Sequence, residues 1–167
     1  WYKDIYITND VLSNDVLYIN NKNGTFSNKI NEYFNHTSFS AMGIDVADFN
    51  NDALQDVLTV DMLPEDNYRK KTMMGSNNYT NYINNNSFNY TFQFVRNVLQ
   101  YNNGVSPERG HPLFGDIAML SGIEATDWSW APLLADFDGD GFRDIIITNG
   151  FPKDITDKDF MDYQSEY

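Results

Sequence analysis

The sequence has no cysteine, which excludes disulfide staples and thiolate sites but leaves the compartment open. It has only two histidines, His36 and His111, far apart in the chain, so a zinc site finds no support. Basic residues are scarce. Eleven Lys and Arg face 24 Asp and Glu, for a net charge of −13. That balance argues against nucleic acid, whose binding is driven by Lys and Arg neutralising phosphates. No apolar run approaches the roughly 18 residues of a membrane helix. No initiator Met, signal-peptide pattern, Gly-x-Ser-x-Gly elbow or phosphate-binding loop is present. Aromatics are plentiful at 16 %, enough to build a core, and 167 residues suit one domain or part of a larger one.

The stretch that organises the chain is Asp136-Phe137-Asp138-Gly139-Asp140-Gly141-Phe142-Arg143-Asp144. It sets carboxylates at positions 1, 3, 5 and 9 of a loop, with Gly141 at position 6 to take a positive φ. Each pair of like charges near 4 Å costs roughly 1 to 4 kcal/mol, depending on the local dielectric. A divalent cation removes that cost. Ca²⁺ accepts six to eight hard oxygens in loose geometry, and the Phe142 carbonyl at position 7 is a further candidate ligand. An EF-hand would need an acid at position 12 and a following helix; here position 12 is Ile147, inside the β-branched run Ile145-Ile146-Ile147-Thr148. The loop therefore leads into a strand.

The pattern recurs at Asp48-Phe49-Asn50-Asn51-Asp52-Ala53-Leu54-Gln55-Asp56, followed by the strand Val57-Leu58-Thr59-Val60. The candidate ligands are Asp48, Asn50, Asp52, the Leu54 carbonyl and Asp56. With one carboxylate fewer, and Ala53 where glycine is preferred, this loop is expected to bind more weakly. A solvated Asp/Asn turn is the bland reading of either loop; the repetition favours metal. A third copy is cut open: Asp4-Ile5-Tyr6-Ile7-Thr8-Asn9 matches Asp144 to Asn149, making Asp4 position 9 of a loop that begins before Trp1. The chain is thus expected to be a piece of a longer protein.

Three units follow. Residues 1–34 form a partial blade, with a Val16–Asn20 strand, an Asn21-Lys22-Asn23-Gly24 turn and a return strand from Thr25. Residues 35–120 form a blade with an insertion at about 62–95. The expected elements are a strand over 40–47, a helix over 65–74, an Asn/Tyr-rich stretch without apolar periodicity over 76–89, one long strand over 92–102 and a return strand over 114–120. Residues 121–167 hold a strand over 128–135, the 136–144 loop and an acidic tail in which a helix with Thr156 as N-cap is one reading. Asp4 and Asp56 stand 52 residues apart, while Asp48 and Asp136 stand 88 apart, the excess being the insertion. A repeat of about 50–60 residues with four strands signals an all-β propeller.

These loops resemble the FG-GAP/VCBS repeats of integrin-α-type β-propellers. That resemblance implies calcium held between the first two strands of a blade, through positions 1, 3, 5, 7 and 9, and a propeller of about seven blades. Asp61-Met62-Leu63-Pro64-Glu65-Asp66-Asn67-Tyr68-Arg69, Gln93-Phe94-Val95-Arg96-Asn97-Val98-Leu99-Gln100 and Ala125-Thr126-Asp127-Trp128-Ser129-Trp130 are similar to large VCBS-repeat proteins of Bacteroidota. The resemblance implies an exported protein at the cell surface or outer membrane, without catalysis, binding an envelope protein or a glycan.

Calcium is expected to be structural, tying a loop that would otherwise splay. Trp128 and Trp130 share one strand face and read as core before sugar platform. Tyr79, Tyr82, Phe88 and Tyr90 in the insertion suit a glycan or a protein partner, or are a compositionally biased surface loop. Two alternatives stay open. One is an uptake complex contacting a transporter. The other is a glycan hydrolase or lyase drawing on Glu65, Glu108, Glu124 or Asp127, whose pairing in space the sequence does not give. Asn-x-Ser/Thr sequons such as Asn35-His36-Thr37 are discounted, because the resemblance points away from a eukaryotic secreted protein. An open propeller exposes sheet faces, so the remaining blades are expected to be needed for folding.

Overall fold

The computed structural model describes residues 2–11, 13–73, 78–151 and 157–166. Strands β1 (Ile5–Ile7), β2 (Val16–Asn20) and β3 (Phe26–Asn28) pair in that order as an antiparallel sheet. The β2–β3 turn places Lys22 and Gly24 at positive φ, as its Asn-Lys-Asn-Gly sequence predicts. Then come α1 (Ile30–Tyr33), β4 (His36–Ser38), β5 (Gly43–Ala47), β6 (Asp56–Val60), α2 (Asn67–Thr72), α3 (Tyr79–Ser87) and β7 (Phe92–Phe94). The chain continues through β8 (Val98–Val105), β9 (Pro112–Asp116), β10 (Ser129–Ala135), β11 (Asp144–Asn149) and α4 (Lys158–Ser165). Strands β5-β6-β8-β9 form a four-stranded antiparallel meander, β10 pairs with β11, and β4 pairs in parallel with β7. Among the described residues the sheets do not close into a ring.

The meander is buried on both faces, which is why every residue of β6 is buried. Leu58 and Val60 face one way, onto Leu99, Ala118 and Leu134, with Ile145 and Ile147 of β11 behind them. Val57, one residue out of phase, faces the other way, onto Leu17, Ile30 and Phe34 of the first unit. Phe34 takes Tyr6 and Phe114 edge-on at centroid distances of 5.3 and 4.9 Å. Each such apolar side chain, fully buried, contributes roughly 1.5–3 kcal/mol. The outermost sheets show the opposite. Ile5 and Ile7 of β1, and Leu133 and Ile146 of β10 and β11, alternate with core-facing neighbours and are exposed.

β5 and β10 meet at their backbones. A Cβ on Gly43 would stand 2.4 Å from the Trp130 carbonyl oxygen and 2.9 Å from Pro132 Cδ. Beside this contact the Leu134 amide donates to Asp45 Oδ2 at 2.7 Å. Gly43→Ala should therefore part the two sheets, costing about 1–3 kcal/mol as overpacking does. Thermal unfolding of the variant checks this, with a fall in Tm of several degrees expected.

Several expectations need correction. The 92–102 strand is two strands, because Asn97 leaves the ladder. Its Oδ1 accepts from the Asp61 amide at 2.7 Å, and its Nδ2 donates to the Ile123 carbonyl and to Thr126 Oγ1. The return strand ends at Asp116, and residues 118–122 turn back. The Asn/Tyr-rich stretch, for all its lack of apolar periodicity, holds α3, capped by Asn78, whose side chain accepts from the Asn81 amide. Helix α2 is shorter than the expected 65–74, starting after its cap Asp66; Met74 lies outside the described residues. Helix α4 is capped by Asp157, and Thr156 lies outside the described residues.

Polar side chains close the first unit and the meander in the same way. Asn28 Oδ1 accepts from the Leu17 and Ile30 amides, as Asp116 Oδ1 does from Leu99 and Ala118. Asp15 Oδ1 accepts from the Asn9 amide at 2.9 Å, as Asn97 Oδ1 does from Asp61. Asp15 is fully buried and also takes the Tyr6 hydroxyl at 2.6 Å. Burial pushes its carboxyl up to about 6 from 3.8, against the pull of those hydrogen bonds. The folded state thus holds the proton more tightly than the unfolded chain. Stability from this group is full below pH ~4 and is lost as pH rises through 6, by about 3 kcal/mol. Asp15→Asn installs the residue found at the equivalent place in the meander. Denaturant unfolding should show the variant gaining on the wild type as pH rises from 4 to 7.5; a pH-independent difference would contradict this.

Candidate metal centre

The loop between β10 and β11 is drawn together by its own amides. Asp136 accepts from three of them: Gly139 at 2.7 Å and Asp140 at 3.1 Å on Oδ1, and Gly141 at 2.9 Å on Oδ2. Asp138 Oδ1 accepts from the Asp140 amide, Asp140 Oδ1 from Phe142, and Asp144 Oδ2 from Phe137 at 3.0 Å. Gly139 and Gly141 sit at φ +79° and +92°, which lets the chain coil this tightly. Asp136, Asp138 and Asp144 each bring a carboxylate oxygen within 4.8 Å of the others. This all-oxygen donor set fits a hard divalent cation such as Ca²⁺. Asp140 is outside that trio.

The loop between β5 and β6 repeats five of these six bonds, lacking only the position-4 amide to its first carboxylate. Asp48 accepts from the amides of Asp52 and Ala53, Asn50 Oδ1 from Asp52, Asp52 Oδ1 from Leu54, and Asp56 Oδ2 from Phe49. Asn51 and Ala53 take the left-handed conformations of the two glycines, at φ +62° and +67°. Its carboxylates do not converge as the other loop's do. Asn50 stands at position 3 and donates its Nδ2 to Asp52 Oδ2 at 2.9 Å and to the Tyr101 hydroxyl at 3.1 Å. The two loops also touch, Asn51 Nδ2 donating to the Gly141 carbonyl at 2.6 Å.

Position 9 ties the 48–56 loop to its sheet. Asp56 is fully buried; its Oδ1 accepts from the Asn102 amide at 2.8 Å, and burial raises its pKa. Asn102 in turn donates to the Gln55 carbonyl and accepts from Gly104. The first unit shows the same three contacts: Asn20 amide to Asp4 Oδ1 at 2.8 Å, Asn20 Nδ2 to the Lys3 carbonyl, and the Lys22 amide to Asn20 Oδ1. Sequence reasoning placed Asp4 but missed Asn20 and Asn102. The Val16–Asn20 echo in Val98–Asn102 was the signal that could have found them.

The acids considered for catalysis are partly gathered. Glu65, Glu124 and Asp127 line a cleft of about 580 Å³ with Asp66, Arg69 and Asn149, whereas Glu108 does not. Asp127 is not a free acid: Arg69 Nη2 donates to its Oδ1 at 2.7 Å, and so does the Trp128 amide. His36 and Arg96 converge on Asp116, holding its carboxyl near 2 despite its burial. That cluster clamps β4 and the Arg96 turn to the end of β9. Trp128 and Trp130 both pack on Phe151, with Trp130 partly open to solvent.

Antiparallel sheets stacked face to face, with an acidic loop joining the first two strands of a unit, define a propeller-type repeat. Residues 2–59 match the FG-GAP-like repeat model, and residues 128–159 match the FG-GAP repeat model. These two stretches therefore carry FG-GAP repeats, which supports placing the chain in the FG-GAP family. Such repeats typically form non-catalytic modules that mediate protein interactions. No curated protein matches it.

Ala53 bears a left-handed strain that glycine would not, worth about 1 kcal/mol. Ala53→Gly should raise Tm by about 2–4 °C in thermal unfolding and strengthen any metal binding at loop 48–56. No gain would place the strain elsewhere.

Proposed function

We propose that this chain is a calcium-stabilised β-propeller module that binds or scaffolds partners in an exported cell-envelope protein. The observation that carries the reading is the twofold repetition of one amide-to-carboxylate scheme, with three carboxylates converging at Asp136, Asp138 and Asp144. Calcium would be held by Asp136, Asp138, Asp140, the Phe142 carbonyl and Asp144. A weaker site would use Asp48, Asn50, Asp52, the Leu54 carbonyl and Asp56. Bound there, the ion neutralises crowded carboxylates and fixes the entry of each loop into its second strand.

An exported setting would supply such loops with calcium, which extracellular modules bind at about 10⁻⁴–10⁻³ M. The resemblance to VCBS-repeat envelope proteins of Bacteroidota points the same way. Further blades would cover Ile5, Ile7, Leu133 and Ile146 in a ring of about seven. The enzyme reading is weakened by the Arg69 pairing of Asp127.

The test is unfolding of the protein in calcium and in EGTA. Calcium at a hundredfold excess over Kd should stabilise by about 2.7 kcal/mol per site. Asp136→Ala should remove most of that gain, and Asp48→Ala less of it. Identical unfolding in calcium and EGTA would refute the metal reading.

A further inference from the structure

Residues 72–95 carry no charged side chain, in a protein of net charge −13. Helix α3 lies in this stretch and turns aromatic rings to solvent, with Tyr79 76 % and Tyr82 47 % exposed. The Tyr79 and Tyr82 rings are 20° from parallel with centroids 6.4 Å apart; Tyr82 and Phe92 are 10° from parallel at 5.1 Å. Fully overlapped rings would lie about 3.5–4 Å apart. The three rings are thus near-parallel but not closely overlapped, and all three, Phe92 included, are open to solvent.

Polar groups flank these rings. The Tyr79 and Tyr82 hydroxyls and the side-chain amides of Asn81, Asn84 and Asn86 have no hydrogen-bond partner among the described residues. Asn85 is 4 % exposed and its Nδ2 is likewise without a partner. With Asn81, Asn84, Phe88 and Tyr90 it lines a cavity of about 40 Å³. The rest of the insertion is anchored: Gln93 donates to the Ser13 carbonyl, and the Thr91 amide to Asn14. The helix is thus held while its outer face is left free.

We propose that this face binds a neutral glycan chain. The inference rests on the reading of the chain as a binding module. Near-parallel, partly open rings suit the C–H faces of successive pyranose units, and phenols and amides suit their hydroxyls. With no carboxylate in the stretch, a cationic protein partner has nothing to pair with. With no Lys or Arg in it, the stretch offers an anionic polysaccharide no cation to pair with, and the chain as a whole carries −13.

Affinity electrophoresis of the full chain in native gels containing β-glucan, xylan, mannan or dextran, with alginate as the anionic control, tests this. Retardation is expected in at least one neutral gel and not in alginate. Tyr79→Ala with Tyr82→Ala should weaken it at least tenfold, while Tyr79→Phe with Tyr82→Phe keeps most of it. No retardation in any neutral gel, retardation undiminished in the alanine variant, or stronger retardation in alginate would overturn the proposal. The calcium response of unfolding, measured on the same variants, separates failure here from failure of the module reading.

Discussion

A buried carboxylate at the head of a strand is the constraint on which this structure depends. Asp56 stands where the loop ends and the sheet begins. One oxygen accepts from the third strand through the Asn102 amide, and the other accepts from the loop through Phe49. A charge held out of water is costly unless it is paired and hydrogen-bonded. The loop concentrates further carboxylates beside it, which raises that cost. The arrangement makes physical sense with a cation in the loop. Asp4 and Asn20 repeat the same joint in the first unit.

From that joint the packing follows. Once loop and third strand are fixed to the head of β6, the strand runs through the middle of the meander with both faces covered, Leu58 and Val60 to one side and Val57 to the other. The close approach at Gly43 and the Asp45–Leu134 bond then set the next unit against it. The Asn51–Gly141 contact joins the two loops on one rim. Acidic loops, sheet stacking and inter-unit contacts are in this way one connected system. The insertion hangs from it by polar ties, free to carry recognition.

The sequence made the repeating parts legible. The strands after Asp56 and Asp144, the Asn21–Gly24 turn and the loops themselves rest on local chemistry, with β-branched runs, glycines at positive φ and acids at fixed spacing. The meander could be inferred because its strands echo earlier ones. What stayed hidden depends on partners distant in the chain. The break at Asn97 is made by Asp61, Ile123 and Thr126, none of them nearby in sequence. Helix α3 is rich in asparagine, a weak helix former, and is held by its cap and its docking. Which carboxylates of the 136–144 loop draw together, Asp136, Asp138 and Asp144, is likewise set by the loop's own fold and not by spacing alone.

The most direct measurement is the cost of Asp56→Asn, determined by equilibrium unfolding in calcium and again in EGTA. The variant removes the buried charge while keeping a carbonyl to accept from Asn102. If a cation neutralises Asp56, the substitution should cost clearly more in calcium than in EGTA, where relief of the unpaired charge offsets the lost hydrogen bond. An equal cost in both conditions would contradict the joint between metal, loop and sheet.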